Sequence, residues 1–158
     1  MILIDYSQVA LAAILTFQRE LKGTESEIKN LIRHVTLSTI KSYKKKYGKE
    51  YGNIVICCDG RKYWRKEFFP FYKAGRRKIR EKSDLDWHLI FDFLAKFKQE
   101  LKDNFPYKVI DVEGAEADDI IGTLVPRHIT HEDILILSSD GDFLQLQMYN
   151  RQKSGYTI

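Results

Sequence analysis

The side chains of this chain best suited to chemistry are seven carboxylates in four groups: Asp5, Asp59, the Glu116-Ala117-Asp118-Asp119 run, and Asp140 with Asp142 in Ser-Ser-Asp-Gly-Asp. Each group follows a short apolar run. Asp5 follows Ile2-Leu3-Ile4, Asp59 follows Ile54 to Cys58, the Glu116 group follows Val109-Ile110 with Val112, and Asp140 follows Ile134 to Leu137. Carboxylates gathered in one place repel one another and lose hydration, so their pKa values climb. A hard divalent cation relieves both costs. Mg²⁺ takes oxygen ligands, keeps several waters, and is commonly held by a few carboxylates together with substrate phosphate. Two such ions about 3.5–4 Å apart can activate a water and stabilise the leaving oxygen of an in-line phosphoryl displacement. His34, His88, His128 and His131 do not share the spacing, and no separate nucleophile accompanies the acids, so metal-activated water is the economical mechanism.

Taken singly, each acid has a plainer reading. An Asp after a strand caps a helix or a turn. Asp-Gly-Asp alone makes a tight turn, and here it does not continue as an EF-hand loop. Acids at a helix N-terminus also complement its dipole. Four acidic groups beside four different apolar runs are hard to obtain from caps alone.

The runs that precede the acids are strand-like, and three are continuous rather than alternating, as strands buried on both faces are. Between them lies helical spacing: Val9 to Phe17, Glu25 to Tyr47, Trp87 to Leu101, and a short helix near Asp118 to Arg127. This order predicts a single α/β domain over residues 1–158 with a mostly parallel sheet flanked by helices. Ligands of such sheets bind at the carboxyl ends of the strands, which is where the acids fall.

Charge points to a polyanion. The formal net charge is +4, but residues 61–82 hold ten Lys or Arg against Glu67 and Glu81, a local +8, leaving −4 on the rest of the chain. A basic segment on a slightly acidic body is the electrostatic footprint of nucleic-acid binding, although a solvated helix has the same composition. Tyr63, Trp64, Phe68, Phe69, Phe71 and Tyr72 interleave with these charges. Such rings can stack on single-stranded bases, at about 1–3 kcal/mol each. Phe68 and Phe69 are expected instead to anchor the segment on the core, and Pro70 and Gly75 should interrupt any helix there. The longest apolar stretch, Val9 to Leu15, is too short for a membrane span, and Ile2-Leu3-Ile4 lacks the basic start of a signal peptide. Adjacent Cys57 and Cys58 suit neither a structural disulfide nor a metal site, so a reduced, cytoplasmic protein is expected.

The spacing of Asp5, Cys58-Asp59-Gly60, Glu116-Ala117-Asp118-Asp119 and Ser139-Asp140-Gly141-Asp142 resembles the 5′-nuclease (flap endonuclease) superfamily, especially the ribonucleases H of T-even-type bacteriophages. Leu3 to Gln8, Ile32-Arg33-His34, Ser38 to Lys41, Tyr63-Trp64-Arg65 and Ile136 to Gln145 extend the likeness across the chain. The resemblance implies a PIN-like α/β fold and two Mg²⁺ ions, with Mn²⁺ substituting. The implied activity is a 5′→3′ exonuclease and flap endonuclease that removes RNA primers and flaps in phage DNA replication, in the cytoplasm of a bacterial host. The implied partners are DNA and RNA–DNA hybrid with a free 5′ end or flap, single-strand-binding protein and a sliding clamp.

By the same resemblance Asp5, Asp59, Glu116 and Asp118 lean toward the first metal, Asp140 and Asp142 toward the second, and Asp119 toward either. Residues 61–84 would form a helical arch, with Lys73 and Arg76 of Tyr72-Lys73-Ala74-Gly75-Arg76 contacting the scissile phosphate. Arg61, Lys62, Arg65, Lys66, Tyr72, Arg77, Lys78 and Arg80 would bind the nucleic acid. The family's helix-three-turn-helix element and Gly-Asp-x-x-Asp signature would follow the last strand motif, and neither lies within these 158 residues. Two other readings stay open: a catalytically weak nucleic-acid-binding half that needs a C-terminal partner, and a small PIN-type single-strand ribonuclease.

Overall fold

A computed structural model describes residues 1–149, apart from the side chains of Arg77, Met148 and Tyr149. Four strands form one parallel sheet: β1 (Ile2–Asp5), β2 (Ile54–Cys58), β3 (Lys108–Asp111) and β4 (Leu135–Leu137), in the order β3-β2-β1-β4. The register sets Ile4 of β1 beside Ile56 and Leu137, and Asp5 beside Cys57. The continuous apolar runs are explained by two-sided burial. Ile2, Ile4, Ile54, Ile56 and Cys58 face one core, while Leu3 and Cys57 face the other. Cys57 and Cys58 are both free and buried, on opposite faces.

Helices α1 (Tyr6–Thr16), α2 (Glu25–Tyr51) and α5 (Trp87–Asn104) supply the larger core, through residues such as Ile14, Ile32, Ile40 and Phe97. Helix α6 (Ala117–His128) covers the other face with Ile120, Ile121 and Val125. The chain therefore winds from β1 out to β3, then crosses to β4 on the far side of β1. That reversal of direction creates a crevice at the carboxyl ends of β1 and β4.

Boundaries depart from the sequence reading where capping decides them. Helix α1 begins at Tyr6, before the expected Val9, because Asp5 caps it by accepting the Gln8 N–H at 3.1 Å. Helix α2 outruns the expected Tyr47 because Tyr47 and Tyr51 continue its core-facing stripe. Gly52, at φ 79°, then ends it. Val112, expected in the third strand, is 48% exposed and lies beyond β3. The basic segment is not one helix. It holds α3 (Trp64–Phe68) and α4 (Gly75–Arg80), with Pro70 in the turn between them. Among the described residues no helix is long and apolar enough to cross a membrane.

Candidate metal and phosphate site

Strand β1 delivers Asp5 to the crevice at 3% exposure. Its Oδ2 accepts the Ser138 hydroxyl at 3.2 Å, from the chain leaving β4. Burial pushes the Asp5 carboxyl up to about 6, against the opposing Gln8 N–H bond and with further help from the charges of Asp59 and Asp118. Asp59, just past β2, accepts the Ser7 hydroxyl at 2.8 Å and the Ala117 N–H at 2.9 Å, so it touches the start of both α1 and α6. Burial also raises the Asp118 carboxyl. Lys73 opposes that shift, while Asp140, Glu116 and Asp59 add to it. The hydrogen bonds of Ser7 and Ala117 to Asp59, and of Ser138 to Asp5, tie the ends of β1, β2 and β4 and the start of α6 together, so the acids lie along one edge of the sheet. Asp140 sits where its N–H reaches the Ser138 hydroxyl at 3.1 Å, and the Asp142 N–H donates to Asp140 Oδ1 at 3.0 Å.

Glu116 is 1% exposed, and its partners come from the basic segment. Lys73 Nζ lies 2.6 Å from Oε1, and Oε2 accepts the Tyr72 hydroxyl at 2.9 Å and Arg65 at 3.0 Å. Arg65 also grips Asp119 with two bonds of 2.8 and 2.7 Å, joined there by the Trp64 indole N–H and the Glu116 N–H. Burial works to raise the Asp119 carboxyl, but these donors outweigh it and the net shift is downward. Burial likewise works to lower Lys73, yet Glu116 and Tyr72 carry it upward. Lys73 holds this position with a left-handed backbone at φ 58°, strained for a residue with a Cβ.

The expected site residues thus divide by place. Asp5, Asp59, Glu116, Asp118, Asp119 and Asp140 line one edge. Lys73, Tyr72 and Arg65 lie against Glu116. Asp142 is exposed beside Asp140, and Arg61, Lys62, Lys66, Arg76 and Lys78 are exposed on the segment. Arg80 stacks on Phe91, 4.5 Å from the ring centroid, and the side chain of Arg77 lies outside the described residues. Phe68 and Phe69 do not anchor the segment: they are 81% and 57% exposed, and Phe71 is 75% exposed. The segment is held instead by the ion pairs of Arg65 and Lys73 and by the backbone, where the Trp64 N–H donates to the Gly114 carbonyl at 2.9 Å. Ser7 and Ser138, which orient Asp59 and Asp5, escaped sequence reasoning. Their signal was position, two residues after Asp5 and two before Asp140.

Among the described residues, no group of three acidic, histidine or cysteine side chains already stands as a metal cage. The donor chemistry nevertheless fits a hard divalent cation: all-oxygen and negatively charged, with the Asp5 and Asp118 carboxyls raised in pKa and part of the charge met by protein cations. Gly60 shows how tightly the acids are held. A Cβ there would lie 2.6 Å from the Val112 carbonyl oxygen and 2.9 Å from that of Ala115. Gly60→Ala should therefore displace the β2 exit and cost about 1–3 kcal/mol in urea unfolding. An unchanged midpoint would mean that the Asp59 turn tolerates movement.

The model of the family described as 5′-3′ exonuclease, N-terminal resolvase-like domain matches residues 1–154. The chain is 42% identical over 156 residues to ribonuclease H of Enterobacteria phage T4, covering 96% of this chain and 50% of that protein. It is 33% identical over 115 residues to a 5′-3′ exonuclease of Buchnera aphidicola, covering 72% of this chain and 37% of that one. Among solved structures, the T5 D15 protein co-crystallised with metal ions superposes with a TM-score of 0.65 at 22% identity, over 92% of this chain and 50% of that chain. A bacteriophage T5 D15 flap endonuclease in a pseudo-enzyme–product complex with DNA and metal ions does so at the same TM-score, over 90% and 49%. The chain spans about half the length of the T4 relative it matches.

Proposed function

Since the chain belongs to the 5′-3′ exonuclease, N-terminal resolvase-like domain family, we propose that it carries the catalytic acids of a divalent-metal-dependent 5′-nuclease that hydrolyses phosphodiester bonds near 5′ ends and flaps, including those of RNA primers. One observation carries this reading: the basic segment reaches back over the strand-end acids, so that Lys73 and Arg65 meet Glu116 directly. A phosphodiester entering between the two sets would have carboxylates on one side and ammonium and guanidinium groups on the other.

In this reading Asp5, Asp59, Glu116, Asp118, Asp119, Asp140 and Asp142 supply the oxygen ligands for two Mg²⁺ ions. Ions held there would supply Lewis acidity, which lowers the pKa of a water and stabilises a leaving oxygen. The chain's own part is to orient and to balance charge. Ser7 and Ser138 fix the carboxylates of Asp59 and Asp5. Lys73 has the reach to place positive charge against the phosphate as it becomes more negative. The exposed Arg61, Lys62, Lys66, Arg76 and Lys78 attract the strand, and Trp64, Phe68, Phe69 and Phe71 offer exposed rings to its bases.

The test is incubation with a 5′-flap duplex and Mg²⁺ or Mn²⁺. Cleavage near the 5′ junction that disappears in Asp140→Asn, with unchanged unfolding, is the expected result. Salt-sensitive binding without cleavage would instead support a binding half. Cutting of single strands with no preference for 5′ ends would support a single-strand ribonuclease.

A further inference from the structure

Away from the acids, the second half of α2 carries five lysines, Lys41, Lys44, Lys45, Lys46 and Lys49, against one acid, Glu50, in residues 41–50. All five are exposed, and no ion pair engages any of them among the described residues. Lys44 is spent on the helix end, its Nζ donating to the Gly52 carbonyl at 2.8 Å, and Lys46 lies over the Tyr47 ring at 4.8 Å. Lys41, Lys45 and Lys49 recur every four residues and form one ridge, about 12 Å long at 1.5 Å per residue. The opposite side of α2 holds Ile40, Tyr43, Tyr47 and Tyr51 on the core, so the ridge faces outward from the α1, α2 and α5 layer. It runs toward Gly52 and Asn53, where the Asn53 carbonyl meets the Ile2 N–H at the amino ends of β1 and β2. The acids occupy the other end of those strands.

A helix C-terminus favours cations, but only within its last turn, which accounts for Lys49 and not for Lys41 or Lys45. We propose that this ridge is a second nucleic-acid contact, separate from the acid site, that binds the phosphate backbone of a duplex. Duplex is favoured over single strand because the tyrosines of this stretch pack on the core and leave no exposed ring for stacking. A rigid ridge of about 12 Å spans roughly seven phosphates of a duplex, at one charge per about 1.7 Å of axis. The inference rests on nucleic acid being the substrate class, but not on cleavage.

The test uses the whole chain and a covalently closed duplex with no 5′ end, in EDTA, read by fluorescence anisotropy across a salt series. In the K41Q/K45Q/K49Q variant the slope of log K against log salt should fall by about 2–3, at about 0.9 per lost phosphate contact, and binding at low salt should weaken at least tenfold. The melting temperature should not move. A variant that cleaves flaps normally and keeps the parent slope overturns this inference while sparing the proposed function. Polyglutamate competing at the ridge, with duplex binding unaffected by the substitutions, overturns it in favour of an acidic protein segment.

Discussion

Asp5→Asn should abolish cleavage and, in metal-free protein at pH 8, make the fold more stable. The two effects share one cause. Asp5 is 3% exposed, and burial lifts its pKa from 3.8 to about 6. A carboxyl whose folded pKa lies above its unfolded value holds its proton longer in the folded state. Ionising it therefore costs stability, increasingly between about pH 4 and 6 and fully above that window. The cost there is about 3 kcal/mol, at 1.36 kcal/mol per unit. Asparagine removes the charge and keeps the geometry. Its oxygen can still accept the Gln8 N–H, and its amide can donate to Ser138. Urea unfolding in EDTA should show a gain approaching 3 kcal/mol at pH 8 and none near pH 4. Cleavage should fall by at least 100-fold, since even groups one step removed from a metal ligand cost about 10–100-fold. A variant that cleaves normally would remove Asp5 from the site. One less stable at pH 8 would show that its charge is not the burden described.

The same residue shows why so much was legible in the sequence. A strand buried on both faces needs an unbroken apolar run, and the first polar residue after it must stand at the carboxyl edge. Ile2-Leu3-Ile4-Asp5 and Ile54 to Asp59 therefore stated both the strand and the carboxylate at its end. The parallel sheet followed from the alternation of runs and helices, and the convergence of acids followed from the sheet. What stayed hidden depended on side chains meeting across long chain separations. Arg65 read as one more cation of a phosphate-binding segment, yet it lies on Asp119 and Glu116, 54 and 51 residues away. Phe68 and Phe69 read as core anchors because apolar residues usually are. They are exposed, and the segment is instead tied to the acids by the ion pairs of Arg65 and Lys73. Periodicity carries no information about such contacts. Composition also drew attention to residues 61–82 and away from the lysines of α2, which matter through helical spacing rather than density.

Lys73→Met should act on both catalysis and stability, in separable ways. Methionine keeps the length of the stem and deletes the charge. With a 5′-flap substrate and Mg²⁺, single-turnover cleavage should slow by about 100-fold while the dissociation constant changes only a few-fold. A charge aimed at the reacting phosphate gains most as negative charge builds on it. Lys96→Met, at an exposed lysine of α5 away from the basic segment, should leave the cleavage rate nearly intact. In EDTA the Lys73 variant should lose about 1–3 kcal/mol. Glu116, 1% exposed, would lose its ammonium partner and keep Arg65 and Tyr72. The Lys73 pKa is raised above 10.5, so its contribution is fully present below that pH and fades only above it. The deficit should accordingly be constant between pH 4 and 9, whereas the Asp5→Asn gain grows between about pH 4 and 6. Millimolar Mg²⁺ or Mn²⁺ should restore most of it, because a bound cation replaces the missing ammonium beside Glu116 and stabilises the folded state by mass action. A deficit that the metal does not repair would mean that Glu116 is a structural acid held by arginine, lysine and tyrosine. A slowed rate with proportionally weakened binding would mean that Lys73 grips the strand and does not assist the reaction. If both hold as expected, the strained backbone at φ 58° has its explanation, in an ammonium kept on the carboxylate until a metal ion and a phosphate take its place.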